Sequence, residues 1–303
     1  MDTLRFLVTG ASGQLGTYLL RHLASEKNVE VVGWAGSEAG TRFGTALRLV
    51  DLRQKDRVAA AFDEDWPDVI IHTAAICRVD ICYSNPQLAE QVNVEGTRWL
   101  TELAARHRTR LVYVSSDMVF DGAKGNYSES DSPSPLSRYG RSKLAGERAA
   151  LELAGTTVAR VSLLFGPALN GRPSFFDQQA TALGTRQPLT LFADEYRTPL
   201  SLITAASALV ELARSEVTGV IHLGGPERMS RWEMGERLAR SLNLDPRPLR
   251  KGRQRDGKFP EARPADVSLD STRWRTLFPH HPWPGWDEAV RELVMSVPGR
   301  KRG

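Results

Sequence analysis

The stretch VTGASGQLG, residues 8–16, closes an apolar run, opens an amphipathic one, and puts Gly10, Gly13 and Gly16 in a G-x-x-G-x-x-G pattern. A chain that turns from a strand straight into a helix leaves the first helical N–H groups free, and the helix dipole there favours an anion. Residues without a Cβ at such a turn let a pyrophosphate approach the backbone itself. The pattern therefore predicts a strand, a tight turn and a helix whose N-terminus carries a dinucleotide, on condition that βαβ units follow.

They do follow. The apolar runs RFLVTG (5–10), VEVVGW (29–34), DVIIHTA (68–74), RLVYVSS (110–116) and TVARVSLLF (157–165) alternate with stretches such as GQLGTYLLRHLAS and QLAEQVNVEGTRWLTELAARH. In the latter the apolar positions recur at three to four residues, the helical period. Apolar strands separated by helices mark a parallel sheet covered on both faces. The fold class expected is α/β, a doubly wound, Rossmann-type parallel sheet with a smaller α/β C-terminal substrate lobe. After about residue 166 the alternation loosens into PLTLF, TAASALVELARS, GVIHLGG, RWEMGERLARSLNL and GWDEAVRELVMSV among prolines. The expected boundaries are a dinucleotide-binding domain over 1–166, rejoined by 198–225, and a substrate lobe made of 167–197 and 226–303.

Composition narrows the partners. Forty basic against 36 acidic residues leave a formal +4, a mild excess that suits a phosphate-bearing ligand and falls short of a nucleic-acid footprint. The basic run RPLRKGRQRDGK reads as a solvated loop ahead of an anion-binding patch. Cys77 and Cys82 are too few for a disulfide framework and match no zinc spacing, so no metal is expected. No apolar run reaches membrane length, and MDTLRFLVTG enters a strand without a leader pattern. A cytoplasmic setting without membrane attachment is the expectation.

The segment SRYGRSKLAGE puts Tyr139 four positions before Lys143, on one face of a helix. A phenol titrating near 10 is a sluggish acid or base at neutral pH, and a neighbouring ammonium stabilises its phenolate. The glycine turn resembles the T-G-x-x-G-x-x-G of the extended short-chain dehydrogenase/reductase superfamily. VIIHTAAICRVDICYSNP, VNVEGTRWL and VSSDMVFDG are similar to three further segments of that superfamily. SSDMVFDG, SPSPLSRYGRSKLAGE and RPADVSLDSTRW together resemble its dTDP-4-dehydrorhamnose reductase group of sugar-nucleotide reductases, over almost the whole chain.

The resemblance implies roles residue by residue. Ser116 stands at the catalytic hydroxyl position, Tyr139 at the proton donor with Lys143 as its tuner, and Asn93 at the asparagine that supports a proton-relay water. Gly10, Ser12, Gly13, Gln14, Leu15, Gly16, Asp51, Leu52, Ala74 and Ala75, with Tyr139 and Lys143, are expected at the cofactor. The second strand ends without an acid, which favours NADP(H), with Ser37 and Arg42 near a 2′-phosphate; Glu38 keeps NAD(H) open. Asp117, Met118, Arg197 and Arg263 are expected at the substrate, the arginines because a guanidinium fork suits phosphate.

Met118 stands where the group usually has a tyrosine, and where related dehydratases have a glutamate that eliminates water. Reduction is thereby favoured over dehydration. The implied activity is NADP(H)-dependent reduction of the 4-keto group of a deoxy-sugar nucleotide. An NAD-retaining epimerase and a non-catalytic regulatory subunit, like one relative that serves methionine adenosyltransferase, stay open, and a homodimer is an arrangement common in the superfamily.

Overall fold

The computed structural model describes residues 3–296; the end of the expected C-terminal lobe, 297–303, lies outside the described residues. The first part runs β1 (Leu4–Thr9), α1 (Gln14–Leu23), β2 (Val29–Ala35), β3 (Gly40–Arg42), β4 (Thr45–Leu49), α2 (Lys55–Asp65) and β5 (Val69–His72). Then come α3 (Val79–Ser84), α4 (Pro86–Glu90), α5 (Gly96–His107), β6 (Arg110–Ser116), α6 (Arg138–Leu151) and β7 (Thr157–Val161). The remainder comprises β8 (Leu164–Phe165), α7 (Phe175–Thr185), β9 (Leu189–Phe192), β10 (Tyr196–Arg197), β11 (Leu200–Ser201) and α8 (Leu202–Arg214). It ends with β12 (Gly219–Leu223), β13 (Met229–Ser230), α9 (Arg231–Ser241), β14 (Leu249–Gly252), α10 (Thr272–Leu277) and α11 (Trp286–Ser296).

Eight strands form the main sheet in the order β12-β7-β6-β5-β1-β2-β4-β3. All pairings but β3–β4 are parallel. Alternate strand residues feed two cores. Phe6, Val8, Ile71 and Val112 pack with Leu19 and Leu20 of α1 and Leu209 of α8. Leu7, Ile70, Leu111 and Tyr113 pack with Val58 and Phe62 of α2 and Leu100 of α5 on the other face. Each such buried side chain contributes roughly 1.5–3 kcal/mol, so this two-faced burial is what demands continuous apolar strands. The order reverses between β1 and β5, and a crevice opens there beyond the carboxyl ends of the strands.

Three elements depart from the sequence expectation. The run 157–165 is split, because after Val161 the chain leaves the sheet and Leu164–Phe165 pairs with Leu200–Ser201 instead. The hairpin β3–β4 lies at 40–49, where the sequence reading placed no strand. Its turn residues Phe43 and Gly44 both take positive φ, 45° and 82°, a conformation that suits tight hairpins. The helix expected across 87–107 is broken at Gln91–Glu95, which is π-helical. Single π turns of this kind are rare inside helices and often mark functional sites, and this one contains Asn93.

Smaller two-stranded pairs, β9–β14 and β10–β13, lie in the segments between and after the sheet strands. Among the described residues no helix is long and apolar enough to cross a membrane. None of their His, Cys, Asp and Glu side chains form a group of three that could hold a metal ion.

Candidate active site

The crevice at the reversal point holds a pocket of about 660 Å³. Its floor is the glycine turn. Gly10 has φ +67°, and a Cβ there would lie 2.8 Å from the Ala74 backbone and from Thr73 Oγ1, so only glycine fits. A Cβ on Gly16 would run into the Gly10 carbonyl. The helix N-terminus is thereby pressed against the end of β5 with its backbone bare. Gly10, Ser12, Gly13, Gln14, Leu15, Gly16, Ser37, Asp51, Leu52, Ala74, Ala75, Tyr139 and Lys143 all line the pocket.

Two features test whether a dinucleotide suits this space. The glycine cradle leaves room at the backbone that a Cβ would fill. Ser115, 2% exposed and on the pocket wall, has a hydroxyl without a hydrogen-bond partner. A buried hydroxyl left unmade is costly, and a ligand carrying ribose and amide groups satisfies it. The residues fit the group. Ser115→Ala is expected to weaken NADPH binding about 3- to 10-fold, the worth of one hydrogen bond. The apo melting temperature should not fall, because no protein partner is lost; titration calorimetry beside a thermal melt checks both.

Tyr139 enters the pocket from the first turn of α6. Ser137 caps that helix by accepting from the Gly140 N–H at 3.1 Å. Gly140 has no room for a Cβ, which would sit 2.8 Å from Pro135 Cβ and against the Met118 carbonyl. This close approach sets the start of α6 against residues 116–118. Burial pushes the Tyr139 pKa well above the usual phenol value, with Cys77 adding to the rise and a hydrogen-bonding Ser116 side chain opposing it. The phenol is therefore protonated at neutral pH.

Lys143, one turn further, is 3% exposed. Burial pulls its pKa down to about 8 against the upward pull of Glu147. Its ammonium stands 4.2 Å from the centroid of the Tyr113 ring. The expectation that Lys143 tunes Tyr139 thus meets a different balance, in which burial governs both groups. Glu147 itself is held in a buried ion pair with Arg160 at 2.8 Å.

Ser116 lies at the end of β6, where its Oγ donates to Asp117 Oδ1 at 3.1 Å and accepts from the Met118 N–H at 3.2 Å. Asn93 is 1% exposed and fully engaged. Its Oδ1 accepts from the Ile76 N–H at 2.7 Å, and its Nδ2 donates to the Ile76 carbonyl and to Ser142 Oγ. The side chain staples the loop after β5 to α6. Its backbone carbonyl accepts from Thr97 Oγ1.

The expected substrate arginines form a chain of contacts leading away from Ser116. Arg197 is 3% exposed and reaches Asp117 at 3.6 Å, Glu195 at 3.2 Å and the Met118 sulfur at 3.6 Å. Burial raises the Asp117 pKa, and Arg197 draws it partly back. Arg197 therefore serves internal carboxylates and does not line the pocket. Arg263 also binds Glu195, at 2.7 Å, but keeps 31% of its side chain exposed with its guanidinium 4.6 Å from the Phe259 ring centroid. It is the more accessible of the two.

Arg42, expected near a 2′-phosphate, pairs with Glu38 at 2.5 Å, four residues back, and is not on the pocket wall itself. Arg53, Arg172, Ser115, Ile76 and Cys77 line the pocket without having been anticipated. None carried a local signal; Ser115 adjoins Ser116, but successive strand side chains face opposite sides, so adjacency alone did not point to it.

A family model described as RmlD substrate binding domain matches residues 4–298. The dTDP-4-dehydrorhamnose reductase of Aggregatibacter actinomycetemcomitans is 32% identical over 95% of this chain and 98% of that protein. Methionine adenosyltransferase 2 subunit beta of Rattus norvegicus is 32% identical over 90% of this chain and 82% of that protein. The crystal structure of dTDP-4-dehydrorhamnose reductase from Bacillus anthracis str. Ames in complex with NADP superposes with a TM-score of 0.87 at 24% identity, covering 98% of this chain and 100% of that one. The fold is that of the extended short-chain dehydrogenase/reductase type.

Proposed function

The chain belongs to the RmlD substrate binding domain family, and on that premise we propose that it is an NADP(H)-dependent reductase of a 4-keto-deoxy-sugar nucleotide. The observation that carries this reading is the sharing of one pocket by the glycine turn, Tyr139 and Lys143. Bound there, a reduced nicotinamide supplies a hydride to a carbonyl carbon. Tyr139, held as the phenol, gives its proton to the carbonyl oxygen as charge builds on it. Ser116, turning its one hydroxyl proton from Asp117, donates a second hydrogen bond to the same oxygen, and the Lys143 ammonium favours the phenolate that remains.

Arg263 supports a nucleotide substrate, because a half-exposed guanidinium lying over Phe259 offers a charge for a diphosphate beside a ring for a base. Adding a dTDP-4-keto-6-deoxy-sugar to protein and NADPH is expected to consume NADPH, followed at 340 nm, with loss of the keto sugar.

The 32% identity to a methionine adenosyltransferase subunit favours one second reading, a cofactor-binding regulatory subunit. It replaces the first if a panel of keto-sugar nucleotides leaves NADPH unchanged while the chain alters the kinetics of an added methionine adenosyltransferase. An enzyme that retains NAD through purification and interconverts nucleotide sugars without net redox change would instead be an epimerase.

A further inference from the structure

We propose that Arg172 is the residue by which this chain distinguishes NADP(H) from NAD(H), reading the 2′-phosphate from a loop outside the dinucleotide-binding half. The inference rests on the reading that the pocket holds a dinucleotide. Loop 166–174 is strapped across the glycine turn by three side chains. Gln14 Nε2 donates to the Gly166 carbonyl at 3.3 Å, Tyr18 OH to the Pro167 carbonyl at 2.8 Å, and Asn170 Nδ2 to the Ser12 carbonyl at 3.2 Å. The strap carries Arg172 to the pocket wall, where its guanidinium meets Glu38 at 2.9 Å with 63% of the side chain exposed.

Charge at this corner is unbalanced. Glu38 stands between two guanidiniums, Arg172 and Arg42, the second at 2.5 Å. Arg53, the other arginine on the pocket wall, is neutralised by Asp51 at 2.6 Å. One positive charge is therefore in excess at the end of β2, where a ligand's adenosine ribose lies in this fold. Arg42 is away from the wall, so Arg172 is the cation that a ligand meets.

A 2′-phosphate brings a charge of about −1.5 to −2 and three acceptor oxygens, which a guanidinium fork binds in pairs. An exposed pair such as Arg172–Glu38 is weak and readily exchanged for that partner. Arg42 stays behind to neutralise Glu38, which would otherwise repel the phosphate. A 2′-hydroxyl offers no such exchange and leaves Arg172 on Glu38. The acid that favours NAD(H) in sequence terms is thus occupied by two arginines, and the selection falls to a residue 134 positions further along the chain.

The test is the binding of NADPH and of NADH, each alone, to the full cofactor-free chain by fluorescence titration, with a thermal melt of every variant. Arg172→Ala is expected to raise the Kd for NADPH about 10-fold or more and to leave that for NADH within about twofold, with Arg172→Lys between, since one fork-bound phosphate is lost. Glu38→Gln should tighten NADPH by freeing the guanidinium. Equal weakening of both cofactors in Arg172→Ala, or no change in either, overturns the role of Arg172 while leaving the dinucleotide site intact. A parent chain that binds neither cofactor overturns the dinucleotide reading itself, and this inference with it.

Discussion

Replacing Tyr139 by phenylalanine is expected to lower turnover about 10²- to 10⁴-fold, the contribution of one positioned general acid, while the Kd for NADPH moves by less than about twofold. The two readouts separate because the structure separates what the residue does. The start of α6 is fixed by the Ser137 cap and by Gly140 against the Met118 carbonyl, neither of which uses the phenolic oxygen. Lys143 keeps its place over the Tyr113 ring. The variant removes one hydroxyl and leaves the cradle, the ring and the ammonium.

Single-turnover oxidation of NADPH with the proposed 4-keto-deoxy-sugar nucleotide measures the loss. A turnover within a factor of about three of the parent would mean that the proton comes from elsewhere, and general-acid catalysis by Tyr139 would have to be abandoned. Because burial raises its pKa, with Cys77 adding to the rise, the phenol holds its proton throughout the neutral range. Reduction should therefore show no loss of this acid between pH 6 and pH 8.

The parts of this arrangement that the sequence made legible are those encoded in short spacings. Glycine at 10, 13 and 16, and tyrosine four before lysine, are local patterns whose geometry is set by one turn and one helix. They needed only the rhythm of strands and helices to acquire a place. Arg42 was legible as a cation near the cofactor, but its partner Glu38 lies four residues away on the approach to a hairpin that no apolar alternation announced. Asn93 was legible as a residue type, yet a π-helical turn decides that its amide is consumed on Ile76 and Ser142. Arg172 and Glu195 left no trace in local spacing at all. Arg172 meets Glu38 from 134 positions away, and Glu195, with Arg197 two residues on, takes its other two arginines from 36 and 68 positions on; long-range electrostatics of that kind are settled by how the segments pack after the sheet has formed.

Glu195 shows how much can rest on such a residue, and its removal is expected to have the largest effect on stability. It is 0% exposed and takes Arg231 at 3.0 Å, Arg197 at 3.2 Å and Arg263 at 2.7 Å. Burial works to raise its pKa, but Arg231, Arg197 and Arg263 together overcome it and hold the carboxyl at about 2. Glu195→Ala leaves three guanidiniums facing one another, two of them well buried, and should cost about 3–5 kcal/mol of unfolding free energy, the usual toll of orphaning a buried charge. Urea denaturation at pH 7 measures it, and a loss below about 1 kcal/mol would mean that solvent screens the cluster.

The pH dependence gives a second check with a definite sign. A carboxyl whose folded pKa lies below its ordinary value of 4.5 contributes stability that is complete above about 4.5 and is lost as pH falls through about 2. Asp117 acts in the opposite direction, since burial raises its pKa and protonation relieves the folded state as pH falls. The parent should therefore lose stability between pH 4.5 and pH 2 more steeply than Glu195→Gln, which keeps the shape and lacks the titration. Because Glu195 also orients Arg197 beside Asp117 and presents Arg263 to solvent, the glutamine variant should raise KM for the sugar nucleotide more than it lowers kcat. That split distinguishes a residue that positions Arg263 from one that merely holds neighbouring segments together.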